Sequence, residues 1–294
     1  MSSSLGAESL TIDVKVWSVG AAGASPGFGT IVAAGEGVPD REALLGQHAV
    51  VPALLACGAC TPCRRGHPAF CEHRATALGS EPSIHVAARQ VVPLRRHGEA
   101  PQLGTLVAPE HAHRLAALSD VGLMAYAAVI RASVEPNRAA VIVGDGPLPF
   151  FVAALVKHRG ASVLRVAPDV LAEDAERAVR AHLAERDLAW FAVPVIATSG
   201  HRSLALRLAP PASTVVLCDA PQGTSNGNGD LAWIVERGLS VHGLRGAHPD
   251  LLAELVAFVC KGTLDLAPLV KEAPHGTQHD AQHDSDERVP LWLR

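Results

Sequence analysis

Four of the chain's six cysteines fall within fifteen positions, in the segment Cys57-Gly-Ala-Cys60-Thr-Pro-Cys63-Arg-Arg-Gly66-His-Pro-Ala-Phe-Cys71. Two-residue gaps let neighbouring thiolates reach a single ion, and the longer gap returns the fourth around a turn. Four thiolates in a tetrahedron about 2.3 Å from the metal make a closed structural zinc site, with no position left for substrate. Gly58 and Gly66 permit turn geometries that a β-carbon resists, and Pro62 and Pro68 stiffen the lobe. Arg64, Arg65 and His67 offset part of the negative charge of such a site. A redox pair, free thiols or an iron–sulfur cluster are the alternatives, and the compact spacing favours zinc. Cys57, Cys60, Cys63 and Cys71 are therefore expected to hold one zinc ion per chain, in a role that concerns stability rather than catalysis. Cys218 and Cys260 are distant singletons in apolar surroundings.

The rest of the composition bounds the class of protein. The 294 residues suffice for one or two domains, and 48% hydrophobic against 18% charged residues excludes a disordered chain. A net charge of −4 gives no electrostatic reason to expect nucleic acid or an anionic membrane as partner. With aromatics at 4%, a base-stacking platform is excluded too. No stretch reaches the ~18 uncharged apolar residues of a membrane span. The opening segment MSSSLGAESLTIDVKVW has neither the basic nor the apolar region of a signal peptide. The expected compartment is the reducing cytoplasm.

The cysteine segment resembles the structural-zinc lobe of the medium-chain dehydrogenase/reductase superfamily, the zinc alcohol dehydrogenases. Gly46-Gln-His-Ala-Val-Val51 is similar to the family's strand before the lobe, and Ile84 to Pro93 to the strand after it. Gly29-Thr-Ile-Val-Ala-Ala-Gly-Glu-Gly-Val38 resembles another of its conserved-pattern stretches, and Arg288-Val-Pro-Leu-Trp-Leu its final strand. The resemblance implies an α/β fold: a Rossmann-type doubly wound parallel sheet plus a GroES-like β-rich domain assembled from both ends of the chain. The implied boundaries are 1–117 for the GroES-like domain with its lobe at 57–71, 118–245 for the Rossmann-type domain, and 246–294 for the return segment.

In the second domain, Ala139-Ala-Val-Ile-Val143 reads as a buried parallel strand. It feeds Gly144-Asp-Gly146-Pro-Leu-Pro149, a helix from Phe150 to Arg159, and a strand Ser162 to Val166. A dinucleotide fold uses such a turn to bring backbone amides to a pyrophosphate. The cofactor-binding candidates for NAD(P) are thus Gly144, Gly146, Pro147 and Leu148. Pro149 stands where the third glycine of G-x-G-x-x-G belongs, and Ala167 where an acidic residue would hold the ribose. Asp169 or Arg165 are the substitutes within reach. Further along, Pro194 to Gly200 resembles the strand and loop beside the nicotinamide. Helices are expected at 171–186, 203–208 and near 231–237, and strands at 213–218 and 239–244. Residues 223–229 are expected to form a flexible loop.

The family's catalytic zinc needs three protein ligands, and their counterparts are missing. No Cys precedes Cys57, Phe28 stands where a Gly-His-Glu motif would fall, and Asp120 occupies the third slot. The bland expectation for Asp120 is a helix cap. His111 and His113, at i, i+2, suit a strand. His275, His279 and His283, interleaved with Asp280, Asp284 and Asp286, read as a solvated loop. There is no G-x-S-x-G and no Walker loop.

Two functions follow from the resemblance. One is a degenerate oxidoreductase with structural zinc only, acting as a scaffold or regulatory subunit, as a homo-oligomer (a dimer) or partner of a related dehydrogenase. The other is a zinc-independent NAD(P)H-dependent reductase of an enone or a CoA thioester, with Asp120 and Tyr126 as candidate proton donors. Compared with the family, the chain is shortened internally, at the first zinc ligands and within the nucleotide domain.

Overall fold

Alternation of period two shapes the first long strand. In β1 (Ser9–Gly20) Leu10, Ile12, Val14 and Val16 are buried, while Thr11, Asp13 and Lys15 between them reach toward solvent. A register shift between Val16 and Trp17 resets that alternation, so both of these neighbours are buried. The computed structural model describes residues 7–20, 23–74, 83–94, 109–198, 201–218, 228–266, 269–272 and 289–293. They form two compact units, one reaching to Leu123 and resuming at Gly246, the other running from Met124 to Arg245.

The first unit is built on a seven-stranded sheet. β1 pairs antiparallel with β2 (Gly23–Ala34) along one edge. Its other edge is shared by β4 (Ser83–Ala87) along the first half and β12 (Val289–Leu293) along the second. β3 (His48–Val50) and β5 (Val92–Leu94) extend the sheet beyond β2, and β11 (Val270–Glu272) lies parallel to β12. Strands from both ends of the chain thus complete one sheet. Ile12, Ile31, Ala49, Val51, Ile84 and Val86 meet in its core. The expected strand from Ile84 to Pro93 is interrupted by a 3-10 turn at Ala88–Gln90.

Short helices α1 (Arg41–Leu44) and α2 (Thr61–Arg64) sit in the connections. α3 (Pro109–Ala117) continues through a π-helical turn (Leu118–Gly122) into α4 (Leu123–Arg131). His111 and His113 therefore lie on a helix and not on a strand. Buried Ala112, Leu115, Ala116 and Ser119 recur at i, i+3, i+4 and i+7, and that period overrides the two-residue histidine spacing. α9 (Leu251–Cys260) returns the chain to this unit.

The second unit is a five-stranded, wholly parallel sheet in the order β10-β9-β8-β6-β7. Its strands are β6 (Ala139–Val143), β7 (Ser162–Val166), β8 (Val195–Ala197), β9 (Thr214–Cys218) and β10 (Ser240–Leu244). All five residues of β6 are buried, as a central strand covered on both faces requires. α5 (Pro147–His158) packs against β6 and β7. Val141, Val143, Val195 and Val215 share a core with Val179 and Leu183 of α6 (Ala172–Ala184) and Leu206 and Leu208 of α7 (Arg202–Leu208). α8 (Asn228–Glu236) follows against α7.

From β6 the chain moves outward to β7, then crosses back to β8 on the opposite side of β6. In a six-stranded dinucleotide sheet a third strand lies outside the second. Among the described residues none does so here, and β7 is an edge. It is five residues long and carries the exposed, charged Arg165, two features that discourage pairing with another chain. Residues 223–227 of the expected glycine-rich loop, and the His/Asp-rich segment 275–286, lie outside the described residues. No helix among the described residues is long and apolar enough to cross a membrane.

Phe151 of α5 is the largest side chain with almost no exposure. Phe151→Ala should cost about 3–5 kcal/mol. Arg177→Ala, which removes only an exposed i, i+3 pair with Asp174, should stay within about 0.5 kcal/mol. Urea unfolding of the two variants beside the parent checks both.

Candidate functional site

The cysteine lobe is built by a chain that folds back twice within a few residues. Cys60 stands immediately before α2, whose second position is Pro62, and Cys63 lies within that helix. Arg64 N–H donates to the Cys60 carbonyl and His67 N–H to that of Pro62, which closes the turn. A 3-10 turn at Pro68–Phe70 then delivers Cys71. The four Sγ atoms all lie within 4.8 Å of one another, with Cys60 and Cys71 at 3.9 Å. A tetrahedron with metal–sulfur bonds of about 2.3 Å has sulfurs about 3.8 Å apart. The donor set fits zinc. No disulfide joins any of the six cysteines.

Backbone amides surround the sulfurs. Cys57 N–H donates to Cys71 Sγ at 3.2 Å, Cys60 N–H to Cys57 Sγ at 3.4 Å, and His73 N–H to Cys71 Sγ at 3.4 Å. The amides of Ala59 and Cys60 hold the Cys57 thiol down to about 6, while burial, followed by the Cys60 side chain, pushes Cys63 up to about 12. A divalent cation held among four thiolates would offset their mutual repulsion.

Two supports of the lobe come from residues that spacing alone does not announce. The Arg89 guanidinium donates to the Cys57 carbonyl and lies where a β-carbon on Gly58 would be. Gly58 also has φ +70, a backbone conformation that favours glycine. Gln90, itself buried, donates from Nε2 to the Ala56 carbonyl at 2.6 Å. Both lie more than thirty residues downstream, and only the return of β4 toward β1 brings them to the lobe.

Among the described residues, the four cysteines are the only group of three or more His, Cys, Asp and Glu side chains able to share an ion. Phe28 is buried in β2, with its ring 5.2 Å from that of His48 on β3. Asp120 lies inside the π-helical turn, within helix that is continuous on both sides. The expectation of a helix cap is thereby corrected: the apolar run after it continues a helix instead of starting one. Tyr126, on α4, is 3% exposed.

At the carboxyl end of β6, Gly144 has φ +140, and a β-carbon there would fall 2.0 Å from Thr198 Oγ1. Thr198 is fully buried, and its N–H donates to the Val143 carbonyl at 2.9 Å. Gly146 precedes α5, which begins at Pro147, three residues before the expected start. Pro147, Leu148 and Pro149 are thus its first three positions. Asp145 Oδ1 lies 3.6 Å from His201 Nε2. At the end of β7, Ala167 and Asp169 are exposed, and the Arg165 guanidinium sits 3.4 Å above the centroid of the Phe150 ring.

Zinc analysis should find the metal in the parent and in Cys218→Ser, and lose it in Cys71→Ser. Gly58→Ala should release zinc to a chelator faster than the parent, because the substitution strains the backbone and displaces Arg89. After chelation a disulfide reagent should titrate Cys57 first, whose thiol is held down to about 6, and Cys63, pushed up to about 12, much more slowly. Cys260, which burial pushes up to about 11, and buried Cys218 should react only on unfolding.

No protein-family model matches the chain, and no curated protein matches it in sequence. Solved structures do match it in shape. Galactitol-1-phosphate dehydrogenase from Escherichia coli superposes with a TM-score of 0.75 at 16% identity, over 100% of this chain and 96% of that one. Alcohol dehydrogenase TADH from Thermus sp. ATN1 gives 0.74 at 17%, over 100% and 94%. The short chain alcohol dehydrogenase rspB from E. coli CFT073, complexed with NADH, gives 0.72 at 18%, over 99% and 94%. Through its parallel sheet and its sheet drawn from both chain ends, the chain shares the fold of these dehydrogenases.

Proposed function

We propose that the protein is a non-catalytic derivative of a zinc-type alcohol dehydrogenase, holding one structural zinc and acting as a scaffold or regulatory subunit. The observation that carries this reading is the single metal constellation among the described residues, Cys57, Cys60, Cys63 and Cys71. Bound there, zinc cross-links the lobe and supplies no chemistry to a substrate, since all four positions around it are filled by thiolates. Phe28 supports the same reading. It is a core residue of the β-sheet, at a place where the resemblance puts a zinc ligand.

A scaffold acts through its surfaces. On α8, Leu231 and Val235 are one turn apart and 65% and 81% exposed. That helix leads into β10, which forms an edge of the parallel sheet. An apolar helix face beside an open strand edge suits a second copy of the chain, or a related dehydrogenase subunit presenting the same face.

Purified protein should contain one zinc per chain and show no alcohol oxidation or carbonyl reduction with either nicotinamide cofactor, with or without added zinc. Two zinc ions per chain, or turnover, would refute the reading. Light scattering should report a dimer that Val235→Asp converts to monomers without loss of zinc.

A further inference from the structure

Resting on the assignment of zinc to the four cysteines, we infer that the lobe is a metal-operated latch on the first sheet: zinc occupancy governs how firmly β4 is held against β1. β4 is five residues long, and among the described strands it pairs with β1 alone. It buries two side chains, Ile84 and Val86. A short strand with one partner opens more readily than a central one. What it covers is the first half of β1's outer edge, Ser9 to Asp13.

The 3-10 turn that ends β4 supplies the hold. Ala88 N–H donates to the Glu8 carbonyl, just before the start of β1. The next two residues turn to the lobe instead. The Arg89 guanidinium donates to the Cys57 carbonyl, and Gln90 Nε2 donates to the Ala56 carbonyl at 2.6 Å. Three consecutive residues thus tie together β1, β4 and the root of the lobe. On the lobe's side α2 buries none of its residues. Zinc shared by Cys57, Cys60, Cys63 and Cys71 fixes the Cys57 backbone, and with it the carbonyl that Arg89 reaches. Without the ion this acceptor is free to shift and to carry its neighbour Ala56 with it. Gln90 is 8% exposed, so water does not readily replace a lost acceptor there. A buried donor left unsatisfied moves an equilibrium by about fivefold to a hundredfold. The effect is mutual, because a state that holds β4 in place also binds zinc more tightly.

The test is amide hydrogen exchange on the full chain, zinc-loaded and after chelation, with zinc counted on each sample. Removing zinc should speed exchange across residues 84–90 by about tenfold or more and leave β6 unchanged. Arg89 is exposed, and Arg89→Ala should shrink that zinc effect by about fivefold while β4 still forms. Exchange in β4 that ignores zinc in the parent would overturn the inference, as would a zinc effect of full size in Arg89→Ala. The zinc count separates this outcome from the fate of the scaffold reading. Two zinc ions per chain with the coupling intact would end the scaffold reading and leave the latch standing. One zinc ion with no change in β4 would do the reverse, and a chain that takes up no zinc would end both.

Discussion

Burial of β6 on both faces is the constraint from which the second unit is built. A parallel strand whose five residues are all buried needs a helix layer on each side. The direction reversal from β7 back to β8 supplies it, with α5 placed between β6 and β7 and with α6, α7 and α8 packed in succession on one another. The same burial sets where β6 ends. Its next residue, Gly144, must pass against Thr198 at the end of β8, and the two strand ends are stitched by the Thr198–Val143 hydrogen bond. The crevice at this reversal point is where folds of this kind accept ligands. In this chain Gly144 packs against Thr198 there, and Asp145 Oδ1 lies 3.6 Å from His201 Nε2.

The cysteine lobe obeys a different logic. It contributes little to the sheet core; its order comes from turns, from amides pointed at sulfur, and from an arginine that lies over a glycine. A cation bound to the folded form would stabilise such a segment. The lobe's donor set depends on local spacing within 57–71, whereas a catalytic site draws its residues from several distant strands and loops.

That distinction also explains what could be read from the residues alone. Short-range patterns were legible. The two-residue cysteine gaps gave the lobe, and the β-branched run at Ala139–Val143 gave the central strand. Features made by long-range approach were not. Nothing in the sequence near Gly58 mentions Arg89, and nothing near Gly144 mentions Thr198, because sheet pairing brings these partners together. Asp120 failed for a third reason. A π-helical turn lets two helices run on as one, and the Ser-Asp pair that would ordinarily start a helix sits within it. The histidine pair at 111 and 113 was misjudged because a two-residue spacing is informative only where the apolar residues share it.

The pairing of Trp17 with Trp292 carries a consequence for the order in which the protein assembles. During synthesis β1 emerges before β12, so the second half of its outer edge waits while the intervening residues are made. The second unit, contained within one uninterrupted stretch, has all its strands available much earlier. Its folding can precede and template nothing of the first sheet, whose exposed edge must stay soluble in the meantime. Asp13 and Lys15, which interrupt the apolar run of β1 with an ion pair on its outward side, are well placed to protect that waiting strand from premature partners.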